Sequence, residues 1–178
     1  AWQKKRLGTA DAVLKCAPFL KNFDGNAIVL CGDAPLLRKE TVRELLRCHG
    51  RSNAHATILT AMMEDASGYG RVVRNSADDF ETICEEKDAT SEERSISEIN
   101  TGAYVFSWSH LKKHLTQIRA ENKQREFYLT DAPFLMRRAG LKVETVTALS
   151  PDEAVGINTR AELSEANRIM NQRLLKEQ

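Results

Sequence analysis

Gly32-Asp33 stands directly after the apolar run Ala27-Ile28-Val29-Leu30-Cys31 and before Ala34-Pro35. In open α/β sheets, ligands bind in the crevice at the carboxyl ends of the strands. A carboxylate there, beside a glycine that lets a phosphate approach the backbone, suits a Mg²⁺ ion carried by a nucleotide. Mg²⁺ takes one or two protein oxygens and leaves its other positions to phosphates and water. The plainer reading is an aspartate that only shapes the turn before Pro35. Leu7-Gly8-Thr9, ahead of a helical pattern, is a second candidate. A glycine and a hydroxyl at a helix start present backbone N–H groups to a base or phosphate, although threonine is also simply a good cap. Asn100-Thr101-Gly102, opening a strand pattern, is similarly ambiguous.

Other constellations carry less. His110 and His114 have the i, i+4 spacing that can bind zinc, but Leu111 replaces the H-E-x-x-H glutamate and no third ligand is indicated. A solvated helix face is the better reading. Cys16, Cys31, Cys48 and Cys84 include no C-x-x-C pair, and none has a histidine partner in a motif context. No G-x-S-x-G nucleophile elbow occurs.

The elements that must position these residues alternate helix and strand. Thr9 caps a helix through Ala12, Val13, Cys16 and Phe19, whose last turn Pro18 should disturb. Asn26–Cys31 reads as a short strand buried on both faces of a parallel sheet. Lys39–His49 is a helix with Val42, Leu45 and Leu46 inward and Gly50 as its stop, and Ala56–Met62 is a second buried strand. Gly68–Val73 and Phe80–Glu85 flank a turn at Asn75–Asp78, and an acidic connector with a short helix covers Glu85–Glu98. Asn100–Phe106 is the next strand. Ser107 or Ser109 starts a helix through Leu111, Leu115 and Ile118, followed by a polar loop over Arg119–Arg125. Thr130 and Asp131 cap a helix that Gly140 ends, and Leu141–Ala148 is a strand. Val155–Asn158 is a loop or short strand. Thr159 and Glu162 form a capping box for a last helix burying Leu163, Ala166, Met170 and Leu174. The order predicts an α/β fold: an open, mainly parallel sheet with helices on both faces.

Composition agrees with a single domain over residues 1–178. With 42% hydrophobic and 29% charged residues the chain can bury a core, which excludes disorder and fibrous repeats. Its 26 Lys+Arg against 25 Asp+Glu give a net charge of +1, so no global field draws it to nucleic acid or an anionic membrane. Ala1–Leu14 does not resemble a signal peptide, and the longest apolar run is far short of the about 20 residues a membrane span needs. A reducing, cytoplasmic compartment is expected.

Taken in order, Gln3, Leu7-Gly8-Thr9, Ala17-Pro18-Phe19, Gly32-Asp33-Ala34-Pro35-Leu36, Gly68-Tyr69-Gly70-Arg71, Glu85-Glu86-Lys87-Asp88-Ala89-Thr90, Glu98-Ile99-Asn100-Thr101-Gly102, Phe127-Tyr128-Leu129-Thr130-Asp131 and Val155-Gly156-Ile157-Asn158 form a recognisable series. The series resembles the uridylyltransferase (pyrophosphorylase) domain of the bacterial bifunctional N-acetylglucosamine-1-phosphate uridylyltransferase/glucosamine-1-phosphate acetyltransferase family. The resemblance implies a Rossmann-like nucleotide-diphospho-sugar transferase fold. It also implies a Mg²⁺-dependent reaction in which UTP and N-acetylglucosamine 1-phosphate give UDP-N-acetylglucosamine and pyrophosphate for cell-envelope synthesis. Asp33 and Asn158 would then be the protein ligands of the Mg²⁺. Gln3, Gly8 and Thr9 would face the uracil and Gly32 the nucleotide. Gly70, Glu85, Asn100, Tyr128 and Thr130 would line the amino-sugar pocket.

The sequence departs from that pattern in places. Cys31 stands where many members of the family carry tyrosine. The family's opening L-A-A-G-x-G-T-R-M loop and P-K segment, which grip the UTP phosphates, have no match here, nor has its carboxyl-terminal hexapeptide-repeat acetyltransferase. The resemblance therefore leads to the expectation of an amino-terminally shortened domain. It would lack at least one βα unit of roughly 30 residues, be inactive alone, and self-associate or be complemented by the missing segment. Two other readings stand beside it: a truncated, non-catalytic sugar- or nucleotide-binding module, and a pyrophosphorylase for a different sugar 1-phosphate.

Overall fold

The computed structural model describes residues 1–176. Its strands β1 (Asn26–Val29), β2 (Ala56–Met62), β3 (Arg71–Arg74), β4 (Phe80–Cys84), β5 (Glu98–Ser107) and β6 (Val143–Thr147) form one sheet in the order β4-β3-β5-β2-β6, with β1 also paired to β5. The pairings make β1, β2, β3 and β6 run one way and β4 and β5 the other. The expected α/β class and the common direction of most strands both hold. The sheet is nonetheless mixed, because long β5 lies antiparallel between β1 and β2, leaving β2 and β6 as the parallel neighbours. Asn75 N donates to Asp79 O at 2.9 Å and closes β3 and β4 into a hairpin, which is how the chain comes to return in the opposite sense.

Strand alternation sends β5 side chains to two cores. Tyr104 and Phe106 join Ala56 and Ile58 under α1 (Thr9–Leu14), α4 (Trp108–Leu115) and α5 (Asp131–Arg138), which contribute Ala10, Trp108, Leu111, Leu115, Ala132 and Met136. Ala103 and Val105 face the other way and pack with Leu59 against Leu45 of α2 (Lys39–Ser52). Helices thus cover both faces, and each fully buried large apolar side chain contributes about 1.5–3 kcal/mol. A short helix α3 (Ser91–Arg94) sits in the acidic connector, where Thr90 and Glu93 make a reciprocal capping box. The last helix, α6 (Arg160–Lys176), starts at the predicted box: Thr159 N donates to Glu162 Oε2 at 2.6 Å and Glu162 N to Thr159 Oγ1 at 3.2 Å.

Several local expectations are corrected. β1 is not buried on both faces: Ile28 is 41% exposed. An apolar run identifies a strand but not how many layers cover it. On α6 the buried residues are Ala166 and Ile169, which pack on Leu36, while Leu163 and Leu174 are exposed. Val155, Ile157 and Met170 pack around them only partly buried, so a narrow stripe of the helix is covered. Gly50 lies inside α2, and the helix stops at Asn53, which takes the left-handed conformation (φ 50°) that asparagine tolerates. Gly8, not Thr9, occupies the N-cap position of α1, and the helix breaks before a 3-10 turn at Ala17–Leu20, in keeping with Pro18.

Three histidines crowd one cavity of about 300 Å³ between α2, β2 and α4, which Asp24 also lines. His49 Nδ1 lies 2.9 Å from Thr57 Oγ1, His55 Nδ1 accepts from Lys142 N at 3.2 Å, and His110 meets His55 edge-on with ring centroids 4.5 Å apart. Burial, then the neighbouring His55, pushes His49 and His110 below the ordinary imidazole value. The unfolded chain therefore binds protons that the folded one refuses. This contribution to stability is complete above the unfolded value near 6.5 and is lost as pH falls below it. The raised carboxyls of Glu85 and Asp131 act in the opposite sense, so the test is a difference. The stability gap between the wild type and His49→Gln should shrink between pH 7.5 and 5.5 in urea melts. A constant gap would contradict this.

Candidate functional site

One cleft of about 460 Å³ opens where the sheet's connections gather. Cys31, Asp33 and Ala34 enter it from the segment after β1, and Ser67–Gly70 from the loop before β3. Glu85 comes from just past β4, Asn100–Gly102 from β5, Ala154, Gly156 and Asn158 from the approach to α6, and Glu162 from its first turn. Of the residues expected in a site, the cleft brings together Asp33, Gly70, Glu85, Asn100 and Asn158. Gly70 O accepts from Asn100 N at 2.8 Å. A Cβ placed on Gly70 would crowd Ile83 Cγ2 at 3.1 Å and touch Glu85 Oε2 at 3.4 Å, so a side chain there would reach the Glu85 carboxylate. At the other end Ile157 N donates to Asp33 O at 2.8 Å, which ties the turn after β1 to the segment carrying Asn158.

Tyr128 lies in a neighbouring cavity of about 480 Å³ that shares Glu85 as a wall. Its Oη accepts from Gln124 Nε2 at 2.7 Å and donates to Asp88 Oδ2 at 3.3 Å. Thr130 occupies the N-cap position of α5, as expected, but its hydroxyl does not cap the helix; it donates to Glu85 Oε1 at 2.9 Å. Burial raises the Glu85 carboxyl, the Thr130 hydrogen bond opposes this, and the nearby Asp88 adds to it. Asp131, read from the sequence only as a cap, is pushed up to about 6 by burial and then by the charges of Glu85 and Asp88. Acidic residues between Glu85 and Asp88 were visible in the sequence, but not that α5 would bring a third carboxyl against them.

Gln3, Gly8 and Thr9 lie elsewhere. Gln3 Nε2 donates to Gly8 O at 3.0 Å and Asp11 Oδ2 at 2.9 Å, and this amide, then Lys15, holds the Asp11 carboxyl below its ordinary value. The segment is strapped to the one carrying Tyr128: Phe127 N donates to Leu7 O at 2.7 Å, Ala10 N to Phe127 O at 2.9 Å and Leu129 N to Thr9 Oγ1 at 3.0 Å. Gly8, with φ 109°, passes so close that a Cβ would sit 2.4 Å from Phe127 O. Gly32 is in the turn beside Asp33 with nothing within 4 Å of its Cβ position. None of these four is among the residues lining the cleft.

The donor set suits a divalent cation. Asp33 supplies a carboxylate and Asn158 an amide oxygen, both hard donors, and two such ligands are what Mg²⁺ commonly takes from protein. Glu162, which sequence reasoning assigned only to the capping box, brings another carboxylate to the cleft. Its Oε2 is committed to Asn158 N and Thr159 N, each at 2.6 Å. Those bonds hold its carboxyl below the ordinary value. His110 and His114 do not converge, since His114 Nδ1 bonds His110 O at 2.8 Å while the His110 ring meets His55.

The family model of nucleotidyl transferases matches residues 1–148. The chain belongs to the nucleotidyl transferase family. It is 48% identical, over 99% of its length, to the bifunctional protein GlmU of Geobacillus thermodenitrificans (strain NG80-2), and 41% identical over 98% to that of Clostridioides difficile (strain 630). The chain spans only 39% and 38% of those curated relatives. Among solved structures it resembles a glucose-1-phosphate thymidylyltransferase assignment from Bacillus anthracis, crystallised with sucrose. The TM-score is 0.71 at 19% identity, over 94% of this chain and 62% of that one. A UDP-glucose pyrophosphorylase complexed with UDP-glucose superposes with a TM-score of 0.69 at 12% identity, over 96% of this chain and 64% of that one. The nucleotidyl transferase chain thus has the expected nucleotide-diphospho-sugar transferase fold. Among its described residues no helix is long and apolar enough to cross a membrane.

Proposed function

We propose that the cleft binds a sugar 1-phosphate and a nucleoside triphosphate and joins them, with UTP and N-acetylglucosamine 1-phosphate giving UDP-N-acetylglucosamine and pyrophosphate. The observation that carries this reading is the gathering of Asp33 and Asn158 in one cleft with Gly70, Glu85 and Asn100. The sugar phosphate oxygen attacks the α-phosphorus in line and pyrophosphate departs, so the work is positioning and charge neutralisation. When bound, Mg²⁺ at Asp33 and Asn158 would offset the charge on the reacting phosphates. Glu85, short of charged partners, accepts from a sugar hydroxyl, while the Asn100 side chain both donates and accepts. Thr130 and Tyr128 act from the far side of Glu85, and a substrate without the matching groups leaves buried polar atoms unpaired. Gln3, Gly8 and Thr9 are assigned to the uracil and Gly32 to the nucleotide.

Residues 1–178 are taken as belonging to one nucleotidyltransferase domain, inactive as this chain alone, working in the cytoplasm in cell-envelope precursor synthesis. Among the described residues β1 pairs only with β5, and Ile28 and Leu30 are exposed beside its open edge. An edge of that kind recruits further strands. Sedimentation velocity should show self-association, or its suppression by a complementing chain; a monodisperse monomer would contradict this.

Pyrophosphate release from UTP and N-acetylglucosamine 1-phosphate, measured in a protein completed to the length of the GlmU relatives, tests the function. Turnover is expected; binding of both substrates without turnover would overturn the reading in favour of a binding module. Cys31, a small side chain in the cleft wall, supports a second reading with a different sugar 1-phosphate. Competition by glucose 1-phosphate distinguishes the two.

A further inference from the structure

We propose that Arg71 is a positioning residue that holds Gly70 and Glu85 in place from behind the wall they form at the sugar end of the cleft. This rests on the function proposed above. Arg71 opens β3, and its side chain is only 3% exposed. One guanidinium nitrogen, Nη1, donates to Tyr69 O. The other, Nη2, makes an ion pair with Glu86 Oε2 at 2.8 Å and reaches Arg94 O at 3.5 Å. Glu86 is also met by Arg94, whose Nε lies 3.6 Å from Oε1.

The two partners stand next to two residues that lie side by side in the cleft wall, just past the Arg71–Cys84 pair of β3 and β4. Tyr69 precedes Gly70, and Glu86 follows Glu85. Gly70 and Glu85 approach so closely that a Cβ on the glycine would lie 3.4 Å from Glu85 Oε2. The guanidinium therefore ties the loop before β3 to the segment after β4 beneath the wall that Gly70 and Glu85 form. Stability alone is a weak reason for a buried arginine–glutamate pair, since apolar residues of similar volume often serve as well or better. The contact with Glu86 is an ion pair without hydrogen-bond geometry, whereas the bonds to Tyr69 O and Arg94 O are directional. A planar fork can serve these separate partners at once, and a lysine cannot do so with the same geometry. Gly70 O also accepts from Asn100 N; Glu85 O accepts from Asp88 N and Ala89 N, each at 2.9 Å, while the Glu85 side chain has one further tie, from Thr130 Oγ1.

The test is a titration of the 178-residue chain with N-acetylglucosamine 1-phosphate, followed by amide NMR well below the melting temperature. The wild type is compared with Arg71→Lys, Arg71→Met and Glu86→Gln. The wild type should bind with shifts at Gly70, Glu85 and Asn100. Both Arg71 variants should bind about tenfold more weakly, the loss expected when binding groups are displaced rather than removed. Glu86→Gln should also weaken binding, and its partly exposed side chain keeps the test open if the Arg71 variants do not fold. A purely structural role would lower the melting temperature and leave the affinity of folded molecules unchanged. Unchanged affinity in the folded variants, or full affinity in Arg71→Lys, overturns the positioning role alone. A wild-type chain that does not bind the sugar phosphate overturns both this inference and the function it rests on.

Discussion

Asp33→Asn is expected to lower turnover by about a hundredfold to a thousandfold, the range seen when one charge-stabilising group is lost from an active site. The effect follows from the donor pair: the cleft offers Asp33 and Asn158 to the cation, and only Asp33 carries a charge. Fold and turn should survive the change, because the bond to Ile157 N is made by the Asp33 backbone carbonyl and its side chain is exposed. Pyrophosphate release in the completed protein checks this, with melting temperature as control. A folded Asp33→Asn protein with wild-type turnover would remove Asp33 from the metal site. Asn158→Ala should fall less far, since a neutral oxygen is replaced by water more easily than a carboxylate.

The second large effect concerns stability. Gly8→Ala places a Cβ 2.4 Å from Phe127 O, 2.6 Å from its N and 2.9 Å from its C, all backbone atoms that cannot swing aside, at a φ of 109° that L side chains rarely adopt. Strain and forced separation together should cost about 3 kcal/mol or more, lowering the melting temperature by about 10 °C for a chain of this size. The loss falls on the strap that joins Leu7–Ala10 to Phe127–Leu129, so Gln3 and Thr9 should lose their anchorage as well. A thermal melt checks the first part and amide exchange of Ala10 and Leu129 the second. An unchanged melting temperature would contradict the packing described.

Much of the positioning was legible because it rests on local rules. Thr159 and Glu162 sit at capping-box spacing, and the last helix begins there. A short helix is expected in the acidic connector, where the structure adds a box of Thr90 and Glu93. Gly32-Asp33 after an apolar strand was enough to place a carboxylate at a strand's carboxyl end. What stayed hidden depends on partners distant in sequence. Thr130 has the look of an ordinary cap, and only the fold brings Glu85 within reach of its hydroxyl, across 45 positions. Asp131 acquires its raised carboxyl from the same encounter. The antiparallel insertion of β5 was invisible because strand patterns record burial, not direction. The exposed side of β1 was hidden for a related reason: four apolar residues look alike whether one layer covers them or two. Arg71 was quoted as part of a motif, but nothing in Gly68-Tyr69-Gly70-Arg71 shows that its side chain turns inward to Glu86.

Mn²⁺ in place of Mg²⁺ offers the most direct measurement, because its paramagnetism broadens the amide signals nearest to it whether or not turnover occurs. With UTP present, the amides of Asp33 and Asn158 should broaden first. Addition of N-acetylglucosamine 1-phosphate should then shift Gly70, Glu85 and Asn100. Broadening centred away from Asp33 and Asn158 while UTP is bound, or sugar-phosphate shifts outside the cleft they share with Gly70, Glu85 and Asn100, would contradict the assignment of that cleft as the nucleotidyl transfer site.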